Sequence, residues 1–361
     1  MKKNRAHLIF TGALAVLTLF FLFRNVSNVR FLETIKQADF RFLLISLLVL
    51  FLFIMMEALS LRTLLKSFGF QPGLRRIFRY ALADFYVSSI TPGACGGQPT
   101  KLYFMSRDQL PLGVSSLCVL LFNTCYHVSM LLIVAAAWFS GALQPITTHP
   151  ALKWLLLYGA LIQLSLVLLF ITLAFSKTLA PGLLRRLIHL LTKVRLIKKP
   201  EKWLARLEEQ TALYHSGSSY FKEHPGVLGK TLILTTLHLL LLYSLPYWVY
   251  RSFGLSGVSF LHILFLQAGL TIGVESLPLP GGLAANEGSF LIVFANVFPQ
   301  SLLLSALLLS RGISYYLGLI IGGISTWFLN KKTQKITVPS LSRSKSDLRQ
   351  IPTKKSHVMV Q

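Results

Sequence analysis

Six ionisable side chains fall in or beside the long apolar segments of this 361-residue chain. A charge near the centre of a bilayer costs about 2.5–3.5 kcal/mol on insertion scales, so such residues are expected to face the protein interior and to pair. A buried arginine or lysine can bind a lipid phosphate, and a carboxylate can bind an amine or balance charge. The six residues are Glu57, Asp84, Lys101, Glu275, Glu287 and Arg311.

Two apolar segments are interrupted by proline and glycine, the residues that a helix tolerates least. The interruptions read Thr91-Pro-Gly-Ala-Cys-Gly-Gly-Gln-Pro99 and Leu279-Pro-Gly-Gly-Leu-Ala-Ala-Asn-Glu-Gly288. Non-helical backbone at membrane depth is tolerated only where it is buried in protein or lines a wet cavity. The amides at the start of a half-helix carry partial positive charge, so these breaks are candidate sites for an anion such as a lipid phosphate.

The charged residues around the two breaks predict a lipid headgroup site. Arg311 and Lys101 are assigned to the phosphate, and Asp84, Glu275 and Glu287 to an amine or to charge balance. The alternatives are that the Pro-Gly clusters only kink helices or form tight turns, and that the charges form structural ion pairs. The candidate lipid-binding residues are Asp84, Pro92, Gly93, Gly96, Gly97, Gln98, Lys101, Glu275, Pro280, Gly281, Gly282, Glu287 and Arg311.

Other polar residues in the apolar segments do not predict a metal or cofactor site. Asn123 and His127 lie one helical turn apart, and a hydrogen bond between helices is favoured over a ligand role for them. Cys95, Cys118 and Cys125 have neither zinc spacing nor the spacing of a disulfide framework. No catalytic triad, P-loop or dinucleotide fingerprint is visible, so no cofactor and no metal are expected.

The elements that must position these residues are membrane helices. The chain is 53% hydrophobic and 13% charged, whereas soluble domains carry about 25% charged residues. It contains 36 Lys and Arg residues against 12 Asp and Glu. In a membrane protein such a basic excess sets topology and binds anionic headgroups, so nucleic acid is not expected as a partner.

The apolar runs predict an all-α polytopic protein with six full spans and two re-entrant hairpins of broken helices. A span needs about 20 residues, and neither broken segment supplies that length without interruption. One hairpin in each half, opening from opposite sides, is typical of an inverted repeat with its binding site between the repeats. The spans are predicted at residues 6–23, 40–61, 114–142, 151–175, 231–250 and 301–329, and the hairpins at 80–105 and 260–298.

The basic residues predict the orientation of the chain. Residues 1–330 are expected to form the transmembrane domain, with an amphipathic basic segment at 176–230 on the inner membrane surface. Residues 331–361 are expected to be a basic disordered tail. Six spans and two hairpins place almost every basic cluster on one side, so both termini are predicted to be cytoplasmic, in a bacterial inner membrane.

The two interruptions resemble the signatures of the lysylphosphatidylglycerol synthase transmembrane family, Pro-Gly-Gly-x-Gly-Glu-Pro and Pro-Gly-Gly-x-Gly-x-x-Glu-Gly. This family includes the flippase-like membrane half of MprF, the multiple peptide resistance factor, and the resemblance extends over residues 5–330. It implies that the chain binds or translocates a phospholipid such as phosphatidylglycerol or its lysyl derivative. Gln98 and Ala284 depart from the family, which commonly has Glu and Gly there.

The resemblance leaves three functions open. The first is lipid translocation, which we favour; the second is a lipid headgroup transferase of the phosphatidylglycerol lysyltransferase type. The chain shows no soluble aminoacyltransferase domain after its last predicted span, so enzyme activity is not expected. The third is an accessory subunit for a separately encoded lipid-modifying enzyme. The expected partners are therefore a membrane phospholipid and, for the third function, that enzyme; a homo-oligomer is compatible with the sequence.

The predicted topology can be tested by cysteine labelling. Because the segments around them are basic, cysteines introduced by Ser216→Cys and Ser346→Cys should not react with a membrane-impermeant maleimide in intact cells, but should react after permeabilisation. The unsubstituted chain, which contains three cysteines, is the background control. Labelling of either introduced cysteine in intact cells would contradict the cytoplasmic assignment.

Overall fold

The computed structural model describes residues 38–176 and 217–331, together with positions 182, 192, 211 and 214. Within these residues every regular element is a helix or a helical turn. The helices are α1 Phe40–Ser67, α2 Leu74–Ile90, α3 Gly97–Arg107, α4 Leu112–Phe139, α5 Gln144–Thr147, α6 Pro150–Phe175, α7 Pro225–Ser252, α8 Phe260–Glu275, α9 Ala285–Val293, α10 Gln300–Arg311 and α11 Gly318–Lys331.

Five helical stretches are long and apolar enough to cross a membrane. They are α1, α4, α6, α7 and the continuous stretch Gln300–Lys331 that contains α10 and α11. The all-α polytopic class predicted from the sequence is confirmed, as are five of the six predicted spans. The predicted span at 6–23, most of the basic segment at 176–230 and all of the predicted tail except Lys331 lie outside the described residues.

Local sequence signals explain where several of these helices begin. The Asp39 carboxylate accepts a hydrogen bond of 2.8 Å from the Arg41 amide at the start of α1. The Ser259 hydroxyl accepts one of 3.3 Å from the His262 amide at the start of α8. Proline stands at the first position of α6 and of α7, where its missing N–H would have had no intrahelical acceptor.

The first predicted hairpin is formed by α2 and α3, which pack against each other on either side of a 3₁₀ turn, Pro92–Ala94. A side chain at Gly97 would collide with Asp84 and Ser88, so glycine permits the close return of α3 along α2. At the open end of the hairpin, Arg76 Nη2 donates a 2.6 Å hydrogen bond to Asp108 Oδ1. Both ends of the hairpin are therefore fixed by identifiable contacts.

The second predicted hairpin is formed by α8 and α9 around a matching 3₁₀ turn, Pro280–Gly282. Gly93 and Gly281 have nearly the same positive φ, 58° and 57°, at the same position of the two turns. The two turns also pack against each other. The break predicted in each half is thus present, and both breaks meet in one place.

Each hairpin is embedded in its own apolar core. Buried residues of α1, α2, α3 and the first half of α4 form one cluster around the first hairpin. Buried residues of α7, α8, α9 and α10, with the second half of α4, form another around the second hairpin. Between the halves, α1 packs along α7 and α11 packs along α2. Gly322 allows this second contact, because a Cβ at this position would lie only 2.8 Å from the Leu82 carbonyl oxygen.

The two turn glycines form a matched pair for a stability test. A Cβ at Gly281 would lie 2.2 Å from the Tyr315 ring, whereas a Cβ at Gly93 would meet nothing within 4 Å. Both substitutions to alanine impose a positive φ on a residue with a side chain, at a cost of roughly 1–2 kcal/mol. Only Gly281→Ala adds a clash, so it should lower the melting temperature in detergent more than Gly93→Ala. Equal melting temperatures of the two variants would contradict the packing described.

Candidate functional site

A cavity of about 760 Å³ lies where the two breaks meet. Ligand sites typically have volumes of roughly 300–1,000 Å³, so this cavity can hold a lipid headgroup or a small molecule. Its wall is built from α1, α2, α3, α4, α6, α7, α8 and α9, both 3₁₀ turns, and the last span. The polar residues of the wall include Glu57, Asp84, Gln98, Asn123, Glu275 and Arg311.

The predicted site residues divide into a group on the cavity wall and a group behind it. Those on the wall are Asp84, Gly93, Gln98, Glu275, Gly281, Gly282 and Arg311. The others lie behind the wall, where they belong to the two breaks or form ion pairs with wall residues. They are Pro92, Gly96, Gly97, Lys101, Pro280 and Glu287.

Arg311, the last residue of α10, is held in place by the second break. Its Nε donates a 2.7 Å hydrogen bond to Glu287 Oε1, and its Nη2 donates one of 3.0 Å to the Gly281 carbonyl. Its guanidinium carbon lies 4.5 Å from the centroid of the Tyr315 ring. Among the described residues nothing accepts a hydrogen bond from Nη1, so this nitrogen is available to a ligand.

Of the two glutamates that flank the second break, Arg311 pairs with Glu287, which lies in the first turn of α9. Glu287 is buried, so a carboxylate there is stabilised both by the guanidinium and by the helix N-terminus. The remaining glutamate, Glu275, instead accepts a hydrogen bond of 3.0 Å from the Tyr126 hydroxyl.

Tyr315 joins the two halves of the protein at the cavity. It belongs to a π-helical stretch, Gly312–Leu317, between α10 and α11. Its ring packs on Gly281 in the second break, and its hydroxyl donates a 3.0 Å hydrogen bond to the Ser89 carbonyl near the end of α2. Wide π turns inside α-helices are frequent at functional sites, and this one places Arg311 and Tyr315 together.

Lys101 does not reach the cavity, although the sequence assigned it to a lipid phosphate. Its Nζ lies 2.8 Å from Glu57 Oε1 and 3.4 Å from Asp84 Oδ2, and the residue is 1% exposed. The ammonium also lies 4.7 Å from the centroid of the Phe122 ring. Two carboxylates are therefore paired with the ammonium group that was expected to bind a phosphate. Among the described residues on the wall, Arg311 is the only arginine or lysine.

Several buried acceptors around the cavity have no donor. Within the part of the chain that the structure describes, Asp84 Oδ1, Gln98 Oε1 and Gln267 Oε1 are buried without a hydrogen-bond partner, and all three residues line the cavity. A buried acceptor left unpaired costs roughly 1–3 kcal/mol. A ligand that brings hydroxyl or ammonium donors would remove this cost.

The two half-helices that begin at the breaks also leave amides free of side-chain caps. Neither Gly96 before α3 nor Ala284 before α9 makes a side-chain cap hydrogen bond. The first amides of an α-helix have no intrahelical acceptor, and they attract negative charge. The starts of both half-helices therefore fit the anion-binding role expected of the breaks.

Some residues of the site had only a weak signal in the sequence, or none. Asn123 and His127 form interhelical hydrogen bonds, as predicted: Gln98 Nε2 donates 2.9 Å to Asn123 Oδ1, and His127 Nδ1 contacts Gln163 Oε1. Both also line the cavity. Single polar or aromatic residues in apolar helices are common, so nothing in the sequence distinguished Tyr126, Gln267 or Tyr315 from packing residues.

The fold and the site define a polytopic helical membrane protein with two broken hairpins that enclose a polar cavity. The sequence of residues 8–322 matches the family model of the lysylphosphatidylglycerol synthase transmembrane region. The chain therefore belongs to this family. This confirms the resemblance seen in the two motifs.

Two archaeal relatives are also named as membrane proteins. A UPF0104 membrane protein of Archaeoglobus fulgidus is 22% identical over 299 residues, which cover 81% of this chain and 88% of the relative. A UPF0104 membrane protein of Pyrococcus horikoshii is 24% identical over 324 residues, which cover 86% of this chain and 92% of the relative. The similarity therefore extends over most of the length of each protein.

One departure from the family motif has an energetic cost. Ala284 stands where the second motif commonly has glycine, and its φ is 66°. Left-handed backbone of this kind favours glycine and costs a residue with a side chain roughly 1–2 kcal/mol. Glycine at this position would avoid that cost, whereas this chain enters α9 with alanine at a positive φ.

The cluster around Lys101 predicts a strong effect of removing one charge. Lys101→Met leaves two buried carboxylates without their cation, and breaking a buried ion pair in this way costs about 3–5 kcal/mol. We expect Lys101→Met to lower the melting temperature sharply in detergent. The triple variant Glu57→Gln, Asp84→Asn, Lys101→Met has no charge left in the cluster and should recover most of the loss. A triple variant less stable than Lys101→Met would contradict the paired geometry.

Proposed function

We propose that this protein binds a phospholipid headgroup in the central cavity and moves the lipid between the two leaflets. The observation that carries the proposal is the composition of the cavity wall. Arg311, whose Nη1 has no acceptor among the described residues, lines the same cavity as three buried acceptors that lack donors. A glycerophospholipid has groups that suit both. Its anionic phosphate suits the arginine, and the hydroxyl or amine donors that many classes carry suit the acceptors.

The phosphate is assigned to Arg311 and the free amides of the second break. A guanidinium meets phosphate oxygens in a planar, directional way that an ammonium cannot copy. The hydroxyls or amine of the headgroup are assigned to Asp84, Gln98, Gln267 and Glu275, which line the same cavity. Phosphatidylglycerol and its lysyl derivative, suggested by the family, both have this combination of groups.

The acyl chains are assigned to the side of the cavity formed by α6. Tyr158, Ile162, Leu166 and Phe170 recur every fourth residue of this helix and line the cavity. Positions four apart share one face of an α-helix, so they form a continuous apolar stripe. Neighbouring residues Leu161 and Leu168 are strongly exposed and suited to contact lipid. The stripe therefore connects the polar site to the hydrocarbon region.

Translocation is supported by the pairing of the two breaks. Transporters with inverted repeats place their substrate site where discontinuous helices of the two halves meet, and move one half against the other. The turns Pro92–Ala94 and Pro280–Gly282 meet beside the cavity in this way. Movement of one hairpin relative to the other would expose the cavity to alternate leaflets.

The proposal can be tested in proteoliposomes that contain fluorescent phosphatidylglycerol, with dithionite bleaching to follow the outer leaflet. Arg311→Lys removes planar contacts worth about 1.5–3 kcal/mol, and Glu287→Gln removes the charge that orients Arg311. Each variant should lower the translocation rate at least about tenfold and remain folded. Arg251→Lys, an equivalent substitution at the far end of α7 and outside the cavity wall, is the matched control.

Two outcomes would contradict the proposal. Unchanged translocation by folded Arg311→Lys and Glu287→Gln would remove the headgroup site. Absence of any translocation by the wild-type protein across a panel of phospholipids would remove the transport function and favour the accessory-subunit alternative.

A further inference from the structure

We propose that Glu57, Asp84 and Lys101 form a proton-binding site, and that binding and release of one proton at this cluster accompany the movement of the lipid. The proton comes from water through the cavity and adds to a carboxylate oxygen, and no other bond forms or breaks. The binding of the proton stands on the geometry of the cluster alone. Its link to transport rests on the function proposed above.

The charge of the cluster is the first argument. Two carboxylates surround one ammonium, with Nζ–O distances of 2.8 Å to Glu57 and 3.4 Å to Asp84. The three residues, in chain order, are 5%, 8% and 1% exposed. In the fully ionised state the cluster therefore carries one uncompensated negative charge in a buried place, where a single charge is costly. One proton removes that charge.

The ion pair at the second break does not have this excess. Arg311 pairs with Glu287, one cation with one carboxylate. The cluster around Lys101 departs from this one-to-one pattern by one carboxylate. Two carboxylates that share a small site behave as a pair and titrate together.

An unpaired oxygen is the second, independent argument. Asp84 Oδ1 is buried and has no hydrogen-bond partner among the described residues, while Oδ2 faces Lys101. Asp84 lines the cavity. A protonated carboxyl group has a donor as well as acceptors, so it can donate a hydrogen bond to an acceptor on a ligand in the cavity.

The surroundings of the cluster supply further titratable groups. Tyr126 on α4 and His238 on α7 line the same cavity, and Glu275 and the Arg311–Glu287 pair lie at its other side. His238 Nδ1 donates a 2.7 Å hydrogen bond to the Phe53 carbonyl, because a carbonyl can only accept. This leaves Nε2 as the nitrogen that can exchange a proton with the cavity.

The first test measures the proton itself, without transport. Infrared spectra of the reconstituted protein should show a protonated-carboxyl band that appears and disappears as pH is varied. The band should be lost or strongly reduced in Asp84→Asn. It should persist in Glu275→Gln, which changes a carboxylate on the cavity wall outside the cluster. A band that is unchanged in both Asp84→Asn and Glu57→Gln would overturn the proposal.

A second measurement uses only the wild-type protein, in case a variant fails to fold. A hydrophobic carbodiimide reacts with protonated carboxyl groups in apolar surroundings. Mass spectrometry should locate the adduct on Asp84 or Glu57, with a yield that falls as pH rises. Modification that is independent of pH, or absent from both residues at every pH, would overturn the proposal.

The link to transport is tested with an imposed pH gradient across the proteoliposomes. The gradient should change the translocation rate several-fold in the wild type and should have no effect in Asp84→Asn. Translocation that depends on Na⁺ instead of the pH gradient would overturn proton coupling. If the infrared band titrates as expected but the wild type moves no lipid, the proton site stands and the proposed function fails.

Discussion

The structure depends on one contact between its halves, the meeting of two glycine turns at the centre of the helix bundle. Both turns break a helix within apolar sequence, and they pack against each other. Tyr315 secures this contact, since it packs on Gly281 and donates to the Ser89 carbonyl. Non-helical backbone at membrane depth is tolerated where it is buried in protein or lines a cavity. Pro280 and Gly282 of the second turn are buried, whereas Gly93 and Ala94 of the first are exposed and line the cavity, so the cavity itself accommodates the first break.

Charge is distributed around this cavity in a pattern that separates structural from functional candidates. The pair Arg76–Asp108 closes the open end of the first hairpin, away from the cavity wall, and serves the fold. Arg311 is paired on one side and open on the other, as a ligand-binding arginine requires. Lys101 is satisfied by two carboxylates, which leaves the first half with an excess of negative charge. Gln98, neutral where the family commonly has glutamate, keeps that excess from growing.

Much of the fold could be predicted from the sequence because its signals are local. Apolar length identified the spans, and Pro-Gly clusters identified both breaks, since neither depends on the rest of the chain. The pairing of charges depended on the fold. Arg311 had two candidate glutamates, and Lys101 was assigned to a phosphate because Glu57, which lies 44 positions earlier in the chain, could not be placed beside it. The lining residues Tyr126 and Gln267 have sequence surroundings no different from those of ordinary packing residues.

The π-helical stretch Gly312–Leu317 has a consequence for the last span as a whole. In an uninterrupted α-helix, Arg311 and Gly318 would lie on almost the same face, because seven residues make nearly two turns of 3.6 residues. The wider turn shifts the phase by about one residue, or about 100°. Before the shift, Leu303 and Leu307 join the core of the second hairpin; after it, Gly318 and Gly322 pack on α2 and Leu329 joins the core of the first. A single helix thus belongs to both halves, and Arg311 and Tyr315 lie at the point where it passes from one to the other.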